Sequence, residues 1–292
     1  MNGEAMFQDY RKIDVVPMTG AIGAEIFGVD LSKPLADDVF EEIHRAFLDH
    51  LVIFFRDQEI TPDQQKAFAR RFGELHIHPY TAPIKGHREV IEIVKEPDEN
   101  INWGDGWHTD LVVEEELPMG SILYAKEIPA YGGDTSFSNM YLAYETLSEP
   151  MKTIVDGLTS VFKGALNGYT SFRSMTTLPN AAPLSAEHPL VHTHPETGKK
   201  SLLLHRKNLK HFKGMSESES KPILDHLFSH AENPNFACRF RWQKGSIAMW
   251  DNRCTQHRVT ADYFWKERGY EPSRRRMHRV TVRGHVPYKA LN

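Results

Sequence analysis

Cysteine is almost absent from this chain: of 292 residues, only Cys238 and Cys254 are cysteines. One pair at most, without metal-type spacing, excludes a disulfide framework and points to a reduced, cytoplasmic protein. No stretch approaches the ~18 consecutive apolar residues of a membrane span. The opening Met1-Asn-Gly-Glu-Ala-Met-Phe lacks a basic segment followed by an apolar one, so no signal peptide is expected. Positive charge is not in excess either. The balance of 35 Lys and Arg against 39 Asp and Glu leaves a formal net charge of −4, which argues against a nucleic-acid binder. Internal repeats, heptads and a Pro/Gly/Ser-rich linker are also missing, so the chain reads as one domain across residues 1–292. What remains is ordinary globular composition, 40% hydrophobic and 25% charged, enough apolar surface to escape disorder.

The local pattern is short strands with a few helices between them. Leu51-Val-Ile-Phe-Phe55 is an apolar run bounded by polar residues, as a strand buried on both faces requires. Segments 89–95, 121–126, 202–204, 238–242, 246–250 and 278–283 read as further strands. Val39, Phe40, Ile43 and Phe47 recur at helical spacing and form one apolar stripe. Thr61-Pro-Asp-Gln64 combines an N-cap, a proline at the first helical position and a capping-box glutamine. Ser216 and Glu219 repeat that spacing before Ile223, Leu224 and Leu227. These helices are expected to cover one outer face of a barrel. The irregular segment 164–189 exceeds the roughly 12–15 residues of a plain connection and is expected to be a lid over a site.

Sixteen histidines make any single one weak evidence, and a His-x-Asp pair arises by chance about once in such a chain. Trp107-His108-Thr109-Asp110 nevertheless carries a chemical logic. On a strand, His108 and Asp110 point to the same side and present an imidazole and a carboxylate to one cation. Far down the chain, Trp250-Asp-Asn-Arg-Cys-Thr-Gln-His257 follows a predicted strand, and Arg274-Arg-Arg-Met-His-Arg279 follows that. Two histidines and one carboxylate on three corners of a metal leave open positions, an arrangement associated with non-haem Fe(II) oxygenases. The same three ligands with an open water site would also serve a zinc hydrolase. A non-catalytic β-sandwich binding module is a further alternative, although such a module would be expected to have lost a ligand.

Taken in order, Gly20-Ala-Ile-Gly-Ala-Glu25, Phe72-Gly-Glu-Leu-His-Ile-His-Pro79, Trp107-His-Thr-Asp110, Gly132-Gly-Asp-Thr135, Trp250-Asp-Asn-Arg253 and Arg275-Arg-Met-His-Arg279 resemble the taurine dioxygenase/TfdA family of Fe(II)- and 2-oxoglutarate-dependent oxygenases, over residues 12 to 288. The resemblance implies a mainly β fold with flanking helices, a double-stranded β-helix (a jelly-roll, cupin-like barrel). It implies His108, Asp110 and His257 as iron ligands, and Thr135 and Arg275 as the holders of the far carboxylate of 2-oxoglutarate, with O₂ as the second cosubstrate. Arg275, Met277 and Arg279 share one face if their segment is a strand; a slip by one residue would hand the role to Arg274 or Arg276. Arg279 and His78 match the residues that hold the sulfonate in taurine enzymes, so the expected substrate is a small anion, a sulfonate, sulfate ester or carboxylate. Leu111 and Asn208 are expected to touch it, and Trp250 to pack beneath the metal site.

Departures from the family pattern point away from taurine. The position of the amine-contacting asparagine falls on Gly104, and the aromatic wall expected in segment 202–211 is represented by Asn208, near His205. A phenylalanine expected near Gly168 and Tyr169 is lost or moved. An insertion, Phe264 to Ser273, carries Trp265 and Tyr270 and is expected at the pocket rim or in an oligomer contact; a homo-oligomer is the family's common state. Hydroxylation is the expected outcome, with desaturation or ring formation on an amino-acid-like substrate as the alternative.

Overall fold

The computed structural model describes residues 10–99, 103–164, 178, 182–263, 271 and 273–289. Gly168, Tyr169, Trp265 and Tyr270, with most of the expected lid and of the 264–273 insertion, lie outside the described residues. In chain order the elements among the described residues are β1 (Asp14–Pro17), β2 (Ala24–Phe27), α1 (Asp37–His50), β3 (Val52–Phe55), α2 (Pro62–Arg70), β4 (Pro83–Ile84), β5 (His87–Lys95), β6 (Gly120–Glu127), β7 (Thr135–Asn139), α3 (Met140–Glu145), α4 (Glu149–Asp156), β8 (Thr159–Lys163), β9 (Ser185–Pro189), β10 (Val191–Thr193), β11 (Lys200–Leu202), β12 (Leu209–Phe212), α5 (Glu217–Ala231), β13 (Ala237–Phe240), β14 (Ile247–Asp251), β15 (Thr255–Val259) and β16 (Arg275–Val282). The final residues of the expected lid are therefore strand, since β9 pairs with β8.

The larger sheet has eight strands in the order β1-β2-β3-β14-β6-β16-β5-β4. Smaller sheets β13-β7-β15, β12-β8-β9 and β10-β11 complete the jelly-roll. Burial of both faces explains why β3 reads as an unbroken apolar run. Phe54, Leu123, Ala125 and Met277 face inward and pack on Phe137, Phe240 and Trp250. Their neighbours Ile53, Phe55, Ile122, Tyr124 and Val280 face outward beneath Ile43, Phe47 and Phe68 of the first two helices. Both faces are covered, so no polar position interrupts β3, whereas β16 carries Arg275 and Arg279 into the cavity. Phe54 and Phe240 stack at 4.0 Å and fasten the larger sheet to β13; burying each such ring contributes about 1.5–3 kcal/mol.

Helix starts follow the sequence closely. Thr61 accepts from the Gln64 backbone and Gln64 returns the bond, and Ser216 and Glu219 do the same. α1 and α2 cover the outer face of the larger sheet as expected. α5 does not join them. It packs instead with α3 and β12 over the smaller sheets, because Leu224, Leu227 and Phe228 complete the second apolar cluster there.

Burial also sets an acid limit on stability. His192 on β10 is buried, and loss of hydration pushes its pKa down to about 3 from roughly 6.5 in the unfolded chain. Between those values the unfolded state binds the extra proton, so stability is complete above about pH 6.5 and is lost as pH falls, at about 1.4 kcal/mol per unit. The melting temperature should drop on acidification from pH 7 to 5, and His192→Gln should make the decline shallower. Identical slopes for the two proteins would refute this assignment.

Candidate active site

His108 and His257 are joined through their backbones. They exchange both hydrogen bonds, His108 N to His257 O at 3.0 Å and His257 N to His108 O at 2.8 Å, as an isolated bridge. The rings consequently lie 4.1 Å apart, centroid to centroid. The strand expected for Trp107–Asp110 is not formed. His108 occupies only that bridge, and the chain then turns, so Asp110 reaches the same point from a turn. The Nε2 atoms of His108 and His257 each lie 3.9 Å from Asp110 Oδ1, and the three donor atoms all fall within 4.8 Å of one another.

Residues around this triad hold its orientation. His108 Nδ1–H donates to the Gly106 carbonyl at 2.7 Å, which leaves the Nε2 lone pair for a cation. His257 is set by ring packing, with Trp250 at 4.5 Å and Phe137 at 5.9 Å. The Ser121 hydroxyl donates to Asp110 Oδ2 at 2.8 Å. Asn252 receives Trp250 Nε1–H at 3.1 Å and the Asp110 amide at 3.4 Å. Burial alone would push the Asp110 carboxyl up, but Arg279, His257 and His108 outweigh it and hold it well below the usual carboxylate range. Burial pushes both imidazoles down. Ser121 and Asn252 were not singled out from sequence; Asn252 was legible only as part of the Trp-Asp-Asn-Arg motif.

The arginine register is unambiguous. Arg274 pairs with Glu96 and Glu127, and Arg276 with Glu92, whereas Arg275 and Arg279 are buried. Arg275 has Nε and Nη2 without a hydrogen-bond partner among the described residues. Beside it in the cavity is Thr135, whose Oγ1 accepts from Trp242 Nε1 at 2.9 Å, leaving its own O–H to donate elsewhere. Gly133 packs against the same arginine. At φ +69° a Cβ there would lie 3.3 Å from the Tyr263 ring and 3.4 Å from Arg275 Cδ. Arg279 Nη1 donates to Asp110 Oδ1 at 3.0 Å, and its Nε is unpartnered among the described residues.

All nine residues singled out from sequence, His78, His108, Asp110, Leu111, Thr135, Asn208, His257, Arg275 and Arg279, line one cavity of about 390 Å³. His78 is buried and its Nδ1 accepts from the amides of Tyr80 and Thr81. Leu111 has φ +51°, a left-handed conformation that a branched side chain adopts at a cost of about 1–2 kcal/mol. Trp103, which sequence reasoning missed, covers Arg279 with its ring centroid 4.8 Å from the guanidinium carbon. Gly104 does more than lack a contact. Its φ is +83°, a left-handed conformation that favours glycine, and a Cβ there would sit 3.1 Å from His108 Cε1, so a side chain would press on the imidazole.

A second buried group, His194, Asp251 and Cys254, also brings three metal-type donors together. Arg253 already grips both Asp251 oxygens, at 2.8 and 2.6 Å, and His194 donates to one of them. That cluster is a saturated ion pair bracing the turn between β14 and β15.

The model of the taurine catabolism dioxygenase TauD, TfdA family matches residues 14–281. The chain is 35% identical over 291 residues to an alpha-ketoglutarate-dependent sulfate ester dioxygenase of Pseudomonas putida, spanning 94% of this chain and 91% of that protein. It is 34% identical to an alkylsulfatase of Acinetobacter baylyi, spanning 94% and 86% respectively. Among solved structures, a taurine dioxygenase from Burkholderia xenovorans superposes with a TM-score of 0.81 at 37% identity, covering 95% of this chain and 93% of that one.

Proposed function

The chain belongs to the TauD/TfdA family of 2-oxoglutarate-dependent dioxygenases, and from that footing we propose that it hydroxylates a C–H bond of a small organic anion, foremost a sulfate ester or sulfonate. The zinc hydrolase and binding-module alternatives fall with that membership. The observation that carries the substrate reading is Arg279: a buried guanidinium with Nε unpartnered among the described residues, facing the same cavity as the triad. A guanidinium offers paired, charge-assisted donors that match a sulfonate, sulfate or carboxylate edge. The relatives named for sulfate esters and alkyl sulfates support the same choice.

In this reading His108, Asp110 and His257 hold Fe(II), a set of two imidazoles and a carboxylate suited to that ion. The unpartnered N–H groups of Arg275 and the Thr135 hydroxyl receive the far carboxylate of 2-oxoglutarate. When bound, the iron with its cosubstrates supplies the oxidising chemistry, turning 2-oxoglutarate and O₂ into succinate and CO₂ while a substrate carbon is oxidised. The protein's work is placement. Arg279 and His78 fix the anionic head, and Trp103 shields the guanidinium. Ser121 and Asn252 keep the Asp110 carboxylate turned to the metal position. Hydroxylation at a carbon bearing a sulfate or sulfonate group gives a product that collapses to an aldehyde, releasing sulfate or sulfite. Both cysteines are free and buried, in keeping with a cytoplasmic setting; no helix among the described residues is long and apolar enough to cross a membrane.

Succinate release with a panel of alkyl sulfates, sulfonates and carboxylates tests the reading. Arg279→Ala should raise the KM of the active anion by about a hundredfold while leaving that of 2-oxoglutarate nearly unchanged. Equal increases would mean that the two arginine roles are misassigned.

A further inference from the structure

We propose that His205 is a specificity-determining residue whose Nε2–H binds an acceptor oxygen on the body of the substrate. With the positive rim beside it, His205 favours anions whose far end carries such an oxygen over anions whose far end carries an ammonium. The inference rests on the reading that Arg279 takes the anionic head, and adds a second point of recognition.

The tautomer follows from geometry. His205 Nδ1 accepts two backbone amides, Lys207 N at 3.2 Å and Asn208 N at 3.3 Å. A ring nitrogen that accepts bears no proton, so the neutral imidazole carries its hydrogen on Nε2, on the other side of the ring. His205 lines the cavity, with its ring 5.6 Å from that of His108, so a bound substrate passes beside it. Among the described residues, no hydrogen bond engages Nε2. An aromatic hydrocarbon would fill this place equally well for an apolar tail; an imidazole held in one tautomer adds a directed donor.

Charge around the cavity reinforces the selection. Lys207 and Lys210 stand at the rim. Lys207 is paired with Asp105, while Lys210 Nζ donates to the Lys207 carbonyl at 2.7 Å and has no carboxylate partner among the described residues. Of the described lining residues, Asp110 alone is acidic, and its two oxygens already receive Ser121 and Arg279. An ammonium entering the cavity would lose hydration without gaining a counter-charge. Gly104 supplies no amide side chain to replace the lost water. An ether, hydroxyl or carboxylate oxygen instead meets the His205 donor and the Lys210 charge.

The test uses three sulfonates of equal chain length, ending in methyl, in carboxylate and in ammonium. It reads substrate-stimulated succinate release and, separately, binding to the iron-free protein by titration calorimetry. The expected order of kcat/KM and of affinity is carboxylate-ended, then methyl-ended, then ammonium-ended. His205→Phe should reduce the carboxylate-over-methyl preference by about fivefold to tenfold, and His205→Gln, which retains an N–H donor, should restore most of it. A thermal melt matching wild type separates this from misfolding. Equal or better use of the ammonium-ended sulfonate, or an unchanged preference in a folded His205→Phe, overturns the proposal. Failure of all three to bind or to stimulate succinate release overturns it together with the anionic-substrate reading beneath it.

Discussion

Asp110→Ala is expected to abolish substrate-coupled succinate release, by about a thousandfold or more, and to destabilise the metal-free protein as well. The two effects have one origin. Asp110 Oδ1 faces both imidazoles at 3.9 Å and receives Arg279 Nη1 at 3.0 Å, and both members of that ion pair are only 5% exposed. Removing the carboxylate leaves a buried guanidinium without its partner, a change that costs about 3–5 kcal/mol. A double-mutant cycle separates the contributions. Asp110→Ala combined with Arg279→Ala should destabilise by much less than the sum of the single changes, because the second removes the charge that the first stranded. Additive losses would show that the pair is energetically unimportant, and turnover retained in Asp110→Ala would place the metal elsewhere.

The legibility of this molecule in its sequence was uneven, for physical reasons. Capping boxes at Thr61 and Ser216 depend on neighbours three residues away, and both formed as read. Side-chain parity on β16 was equally local: Arg275, Met277 and Arg279 share the buried face because a strand alternates. Leu202–Leu204 reads as a strand in the sequence, yet the strand is Lys200–Leu202. Leu203 and Leu204 are buried beyond its end in the cluster beneath α5, and hydrophobicity alone does not distinguish the two placements. The side on which α5 packs depends on apolar partners distant in the chain. The triad shows the same divide. Its residue types were readable, but His108 meets His257 through backbone pairing across the fold, and no local period encodes that. Trp103 and Ser121 were invisible for a similar reason. Each matters through a partner, Arg279 or Asp110, that only folding brings near.

Arg275→Met should separate binding from stability in opposite directions. The native guanidinium is 4% exposed and keeps Nε and Nη2 unsatisfied among the described residues. Burial drives its pKa down, with Tyr263 and Asp134 opposing that only in part. A charge held this way without an anion is a liability, and an apolar side chain of similar length relieves it. The ligand-free variant should therefore melt higher than wild type, by the equivalent of about 1–4 kcal/mol. The cosubstrate tells the reverse story. In the proposed reading two charge-assisted hydrogen bonds at roughly 1.5–3 kcal/mol each disappear, so the KM for 2-oxoglutarate should rise by about two to four orders of magnitude. 2-Oxoglutarate should raise the melting temperature of wild type but not of the variant, while affinity for the anionic substrate, in the proposed reading held at Arg279, should change little. A variant that melts lower and still responds to 2-oxoglutarate would mean that Arg275 braces the barrel, and that the far carboxylate is held by another group.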